Sequence, residues 1–330
     1  MEALNATFVF GDEVRGRGYV TRTDLIVGSV LFWLSATAVI LGVLNLVAIK
    51  KLRIFHNPFG WFWASRTIGE LGFNIVHLVY SVPITILQPK EIPVELGIAA
   101  FTVGYFFAHE ACVMHQIVSL NRCVAVCVPL KYQAIYTKRT CCVLIAFVWI
   151  EVFIIGAAYH AVPCNLLGYS PQLYEFTFVK CSSTVGRDYS LVGTVVNRLC
   201  FSICAATVCF DVITLWKIFR IHMSKEAKSK DFRREIRFCV QSSVQNVTMM
   251  TALTWIVWIN NAKAEETFKT VLTLDALIFT HITNALVLIL LNPEVRSRFL
   301  QLLLCRKDTR INCTTHVSTH HKQPNSSSVA

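Results

Sequence analysis

The chain has 330 residues, of which 54% are hydrophobic and 15% charged, and it carries a formal net charge of +11. Its mean hydropathy is +0.53. A soluble domain carries about 25% charged residues, so this composition excludes an ordinary water-exposed surface. The surplus of positive charge needs no nucleic acid to explain it if the chain sits in a membrane.

Residues 1–24 hold no apolar run of signal-peptide length, so no cleaved leader is expected and the first span would act as its own anchor. Seven apolar blocks follow: Leu25–Ile49, Phe59–Leu87, Val94–Ser119, Cys141–Tyr159, Leu191–Ile218, Ile236–Ile259 and Phe268–Leu291. A helix rising 1.5 Å per residue needs about 20 residues to cross a 30 Å hydrocarbon core. Its backbone must be hydrogen-bonded within the segment, which favours helices over isolated strands. The expected fold is therefore an all-α membrane protein, a seven-transmembrane helix bundle over residues 25–291. After Pro293, the stretch Glu294–Cys305 alternates Arg296 and Arg298 with Phe299, Leu300 and Leu302–Leu304. It reads as a short amphipathic eighth helix over 292–305 lying in the interface. Cys305 at its end is a palmitoylation candidate, and residues 306–330 read as a disordered tail.

Charge sets the expected orientation. Of the 31 Lys and Arg residues, 21 lie in the segments after the first, third, fifth and seventh spans, and 8 lie on the other side. The Lys/Arg-rich loops face the cytoplasm, so the N-terminus is expected to be extracellular and the C-terminus cytoplasmic. The basic loop with Lys225, Lys228, Lys230, Arg233 and Arg234 suits either an acidic partner or anionic lipid. Of the 13 cysteines, only Cys164 and Cys181 fall in an expected extracellular loop, between the fourth and fifth spans. A disulfide between them is expected, with two free thiols as the alternative. Asn5-Ala6-Thr7 is a usable glycosylation sequon on the same side.

Ionisable side chains inside spans are expensive and hence functional suspects. Arg66 and Glu70 stand four apart on the second span, where they would neutralise each other. Glu110, Glu151 and Asp211 have no partner readable from the sequence. The outer halves of the third, fifth, sixth and seventh spans would line any small-molecule cavity. Tyr105 and His109 share a face one turn apart, and Arg198 and Asp275 lie about two turns into their spans. Arg198, His109 and Tyr105 would suit an anion and Asp275 a cation, or Arg198 and Asp275 would pair with each other or with loop charges such as Glu175. Trp255 and Trp258 read as interfacial-belt residues. There is no His-Glu-x-x-His, P-loop or Gly-x-Ser-x-Gly motif, so neither an enzyme, a cofactor nor a metal is expected.

Three motifs carry a family likeness. The third span ends in Asn121-Arg122-Cys123-Val124-Ala125-Val126, followed by Pro129 and Tyr132; the seventh ends in Leu291-Asn292-Pro293-Glu294; the first carries Gly42-Val43-Leu44-Asn45-Leu46-Val47. Together they resemble G-protein-coupled receptors. Asn57-Pro58-Phe59-Gly60, Pro129-Leu130-Lys131-Tyr132, Arg233-Arg234-Glu235-Ile236 with Gln241 and Gln245, and Asn292-Pro293-Glu294-Val295-Arg296 resemble nematode serpentine receptor class X, with class T as its neighbour. The resemblance runs from about Leu25 to Cys305. It implies a chemosensory receptor in the plasma membrane of sensory neurons or their cilia, which binds an extracellular small molecule and activates a heterotrimeric G protein. Asn121, Arg122, Pro129, Tyr132, Arg233 and Arg234 would form the coupling end, with Asn292 and Pro293 as the helix-seven motif. Asn121 and Cys123 depart from the acidic residue and tyrosine that usually flank the arginine. Gly97 stands where many such receptors have a cysteine bonded to the second extracellular loop, which strengthens a pairing within the loop. A channel, a transporter or a receptor-like protein that does not couple are the rival readings.

Overall fold

The computed structural model describes residues 8–223, 230–260 and 267–297, with the backbone alone at 222–223, 230–235, 255–260 and 267–274. Helix α1 (Arg22–Lys51) starts at a capping box in which Thr21 and Asp24 each accept from the other's backbone N–H. Helix α2 (Pro58–Val76) starts where Asn57 accepts from the Gly60 N–H at 3.0 Å and Pro58 supplies the first helical residue. The Asn-Pro-Phe-Gly motif is thus a helix-start signal. A π-helical turn (His77–Ser81) leads into α3 (Val82–Leu87). Pro83 has no N–H to bond the carbonyl four residues back, and the wider turn absorbs that loss within one continuous span.

The chain continues through α4 (Val94–Cys127), α5 (Pro129–Ile135), α6 (Lys138–Ala161), strands β1 (Leu167–Ser170) and β2 (Glu175–Phe178), α7 (Leu191–Met223), α8 (Lys230–Asn260) and α9 (Thr267–Leu291). The seven expected spans are therefore α1, α2 with α3, α4, α6, α7, α8 and α9. Five of them, as far as α7, are long and apolar enough among the described residues to cross a membrane. Helix α9 contributes the shorter apolar stretch Asp275–Leu291. Helix α8 is less apolar because Gln241, Ser242, Gln245 and Asn246 are buried along it. Apolar side chains cover the outside instead, most fully on α6, where Val143, Phe147, Ile150, Phe153 and Ile154 are exposed. Such an inside-out distribution suits a lipid solvent.

Helix α4 occupies the centre and packs against α2, α6, α7 and α8. Its approach to α2 depends on small residues. A Cβ added at Gly69 would lie 2.1 Å from Glu110 Oε2 and 2.8 Å from the Phe107 carbonyl oxygen, and one at Gly72 would lie 2.3 Å from the Phe107 ring.

Between α6 and α7 the chain forms an antiparallel hairpin, pairing Leu167 with Phe178 and Ser170 with Glu175. No strand is expected from the sequence there, since two four-residue strands leave little periodic signal. Cys164 and Cys181 are bonded, with Cα atoms 5.4 Å apart. The hairpin lies over the bundle. Tyr169 is fully buried, its hydroxyl 2.6 Å from Thr85 Oγ1, and Phe176 packs edge-on against Phe101 and Tyr169. Beside it, Asp24 accepts from Tyr174 OH at 2.6 Å, Gln88 Nε2 at 2.8 Å, and Thr21 N and Oγ1 at 2.7 and 2.6 Å, and it pairs with Arg17. This network joins the N-terminal segment, α1, the end of α3 and the hairpin.

Candidate functional site

One face of α4 carries functional groups from end to end. Tyr105, His109, Cys112, His115, Ser119 and Arg122 follow at intervals of three or four residues, so they form one stripe. From Tyr105 to Arg122 it spans about 25 Å at 1.5 Å per residue. Nearest the hairpin, Phe101, Tyr105 and His109 are stacked in sequence, with centroids 5.2 and 5.8 Å apart, and Tyr159 of α6 meets the first two edge-on. His109 lies 3.2 Å from Glu151 of α6 and 3.3 Å from Cys200 of α7. Glu151 thereby finds the partner that the sequence could not name.

The expected neighbours of this cluster are not all present. Arg198 is exposed on α7, like Val195 and Leu199 beside it, and it does not join Tyr105 and His109. Helical spacing sets it two residues from buried Cys200, nearly on the opposite face. Asp275 is half-buried on α9, and no ion pair joins it to Arg198. Among the described residues, no group of three or more His, Cys, Asp or Glu is arranged to hold a metal ion.

Midway along the stripe lies a buried polar layer. Arg66 pairs with Glu70 at 3.2 Å, as their spacing on α2 implies. Its guanidinium also reaches His115 Nδ1 at 3.1 Å and Gln245 Oε1 of α8 at 3.2 Å. Gln245 donates to the Asn284 carbonyl of α9 at 3.0 Å, and Asn284 donates to Glu70 at 2.6 Å, which closes a ring through α2, α8 and α9. Asn74 of α2 meets His281 of α9 at 2.9 Å. Glu110 accepts from Ser65 at 2.6 Å, and Ser65 accepts from Trp149 of α6. One turn further along α4, Ser119 donates to Asp211 of α7 at 2.6 Å, and Asn246 of α8 donates to the same carboxylate. Apart from the Arg66–Glu70 pair, these ties reach across helices far apart in sequence. Gln245 and Asn246 gave a signal, being polar residues in an otherwise spanning helix; Asn284 and His281 gave only a weak one.

At the far end, the Arg122 guanidinium lies 3.5 Å from the Phe59 ring centroid and 4.6 Å from that of Phe238, and the residue is 4% exposed. A cation against two aromatic rings is held electrostatically even with Asn in place of the usual acidic neighbour. Asn121 donates to Tyr132 OH at 3.1 Å, which holds α5 against α4. Pro129 is exposed at the start of α5, and Leu130 beside it is 97% exposed. Asn292 caps a new helical stretch at 293–297, accepting from the N–H groups of Glu294 and Val295. Pro293 stands first in it, so the Asn-Pro motif ends α9 at Leu291. The side chains of Arg233, Arg234, Trp255 and Trp258, the sequon at Asn5, and Cys305 with the rest of the interfacial helix and tail lie outside the described residues.

Comparison with known proteins places this arrangement among receptors. The family described as serpentine-type seven-transmembrane G-protein-coupled chemoreceptor Srx matches residues 32–292. Olfactory receptor 4B13 of Mus musculus is 26% identical over 126 residues, 38% of this chain and 41% of the relative. Olfactory receptor 4X1 of Homo sapiens is 27% identical over 122 residues, 37% of this chain and 40% of the relative. In both, the chain spans about two fifths of the relative's length. Olfactory receptor 10G3 of Homo sapiens is 22% identical over 303 residues, 90% of this chain and 95% of the relative.

Proposed function

The chain belongs to the Srx family of serpentine-type seven-transmembrane chemoreceptors, and from that premise we propose that it binds a small molecule near Tyr105 and His109 and activates a heterotrimeric G protein around Arg122. The observation that carries this reading is the α4 stripe. Between the outer cluster and Arg122, its His115 meets Arg66 of α2 and its Ser119 meets Asp211 of α7 and Asn246 of α8, and the Arg66 layer extends to Gln245 of α8 and Asn284 of α9. The hairpin and disulfide face the outside, with Asn5 glycosylated there, and the α5 end faces the cytoplasm at the plasma membrane. Arg122, Asn121, Pro129 and Tyr132 form the coupling end, with exposed Leu130 as its apolar contact and Arg233 and Arg234 as its charged rim.

Phe238 belongs to α8 and Phe59 to α2, and their rings lie tilted 4.8 Å apart against Arg122. Moving α8 away removes the Phe238 side of that cover. A ligand drives that movement only by binding the uncovered form more tightly. Turning a 1:99 population into 99:1 takes about 5.5 kcal/mol of differential binding, so a weakly discriminating odorant produces a graded response.

Nucleotide exchange on co-expressed G-protein subunits, in membranes carrying the full chain and screened with volatile and water-soluble cues, tests the proposal. Exchange evoked by a cue and lost in Arg122→Ala at unchanged surface expression is the expected result. A ligand-evoked current or uptake without exchange moves the reading to a channel or transporter.

A further inference from the structure

Cys200 of α7, His109 of α4 and Glu151 of α6 stand in line. The sulfur is 3.3 Å from His109 Nδ1, and Nε2 of the same imidazole is 3.2 Å from Glu151 Oε1. A nucleophile beside a base that a third group orients is the arrangement that activates a thiol. The three residues come from three helices, so local helix spacing does not explain their meeting. Their surroundings point to the ligand's shape as well. Cys200 belongs to a buried apolar cluster with Cys112, Cys204, Val196 and Met249, against which Val192, Met250 and Leu253 pack, surroundings that suit an alkyl chain. Cys142 and Cys209, by contrast, are exposed free thiols, and among the described residues neither meets an imidazole or a carboxylate.

Building on the reading of this cluster as the receptor's ligand site, we propose that Cys200 is a covalent acceptor for α,β-unsaturated carbonyl compounds bearing an apolar tail, with His109 as its base and Glu151 as a positioning residue. The thiol proton passes to His109 Nδ1 as the sulfur attacks the β-carbon. A C–S bond forms, the C=C π pair moves to the α-carbon and carbonyl as an enolate, and His109 returns the proton to the α-carbon. The product is a thioether with the carbonyl intact, so no oxidant or reductant is consumed. The imidazole begins and ends with the same number of protons, and Glu151 holds it in the tautomer and orientation that the first transfer needs.

The test uses the full chain in lipid nanodiscs with trans-2-nonenal, and saturated nonanal as the control, read by peptide mass spectrometry over time. Cys142 and Cys209 in the same sample are the internal reference. Although buried, Cys200 is expected to acquire the adduct at least about tenfold faster than either, because His109 supplies its base. Glu151→Gln is expected to slow Cys200 several-fold while leaving Cys142 and Cys209 unchanged, which also reports that the variant is folded. Equal rates at the three cysteines, or an unchanged Cys200 rate in Glu151→Gln, overturn the proposal. Labelling needs no G protein, so the two readings separate. An adduct at Cys200 without nucleotide exchange supports the covalent site and counts against the receptor reading. Exchange evoked equally by nonanal, with Cys200 unmodified by nonenal, overturns the covalent site and leaves the receptor reading standing.

Discussion

Asp24 near the hairpin and Glu70 in the middle of the bundle are both buried carboxylates beside an arginine, yet their surroundings differ. Asp24 accepts from Tyr174, Gln88 and both groups of Thr21 as well as pairing with Arg17. Glu70 meets Arg66 and Asn284, and around it Arg66 Nη2, Glu110 Oε2, Asn74 Oδ1 and Asn284 Oδ1 have no hydrogen-bond partner among the described residues. A saturated carboxylate has one good arrangement and behaves as a rivet. A layer with spare donors and acceptors can exchange partners at small cost, which is what a movable helix interface requires. The contrast predicts a cover that holds and a layer beneath it that shifts, although Arg17 Nε at the cover is also without a partner among the described residues.

Removing the charge partner from the layer should have the largest effect. Glu70→Ala leaves the Arg66 guanidinium buried without its carboxylate, at a cost of about 3–5 kcal/mol. Thermal unfolding in detergent should fall accordingly, and a stability equal to wild type would mean the layer is already hydrated. Pairing Glu70→Leu with Arg66→Met should restore most of the loss while altering basal nucleotide exchange. Next comes the backbone approach that brings Glu110 to Ser65. Gly69→Ala puts a Cβ against Glu110 Oε2 and should cost about 1–3 kcal/mol, with Ala at position 186, where an added Cβ meets nothing, as the neutral comparison.

At the cover, Tyr174→Phe removes one of several donors to Asp24 and should cost about 1 kcal/mol. Hydrogen exchange should rise at 167–178 while basal signalling stays unchanged; a change in signalling would erase the distinction between cover and layer. The smallest effect concerns Glu175, whose carboxyl is pushed up to about 7 by burial. Its native form holds the proton more tightly than the unfolded chain does, so its contribution to stability is complete below about 4.5 and declines as pH rises toward 7. Glu175→Gln should flatten the pH dependence of unfolding across that window and leave it alone elsewhere.

The stretches that were legible in the sequence share a property: their signal is local. Seven apolar blocks of spanning length, the Asn57-Pro58 start of α2 and the Arg66–Glu70 pair all depend on neighbours within one helix. The Cys164–Cys181 bond was legible for another reason, since these two cysteines alone lay in the expected extracellular loop. The hairpin and the partners of Glu110, Glu151 and Asp211 were not legible, because those contacts join helices tens of residues apart. Arg198 shows the limit of counting turns. Its depth along α7 was readable, but which way it faces depends on how that helix is rotated in the bundle.

By itself, the sequence determined that this is a multi-pass membrane protein, roughly where each span lies, and which family motifs it carries. Those follow from bilayer thickness, backbone hydrogen bonding and helix-capping chemistry, all of which act over a few residues. Only the tertiary structure decided that His109 stands between Cys200 and Glu151, that Arg122 lies under Phe238, and that α2, α4, α8 and α9 share one polar layer. A polar group inside the bundle must find its partner on another helix, and that choice is made by side-chain packing.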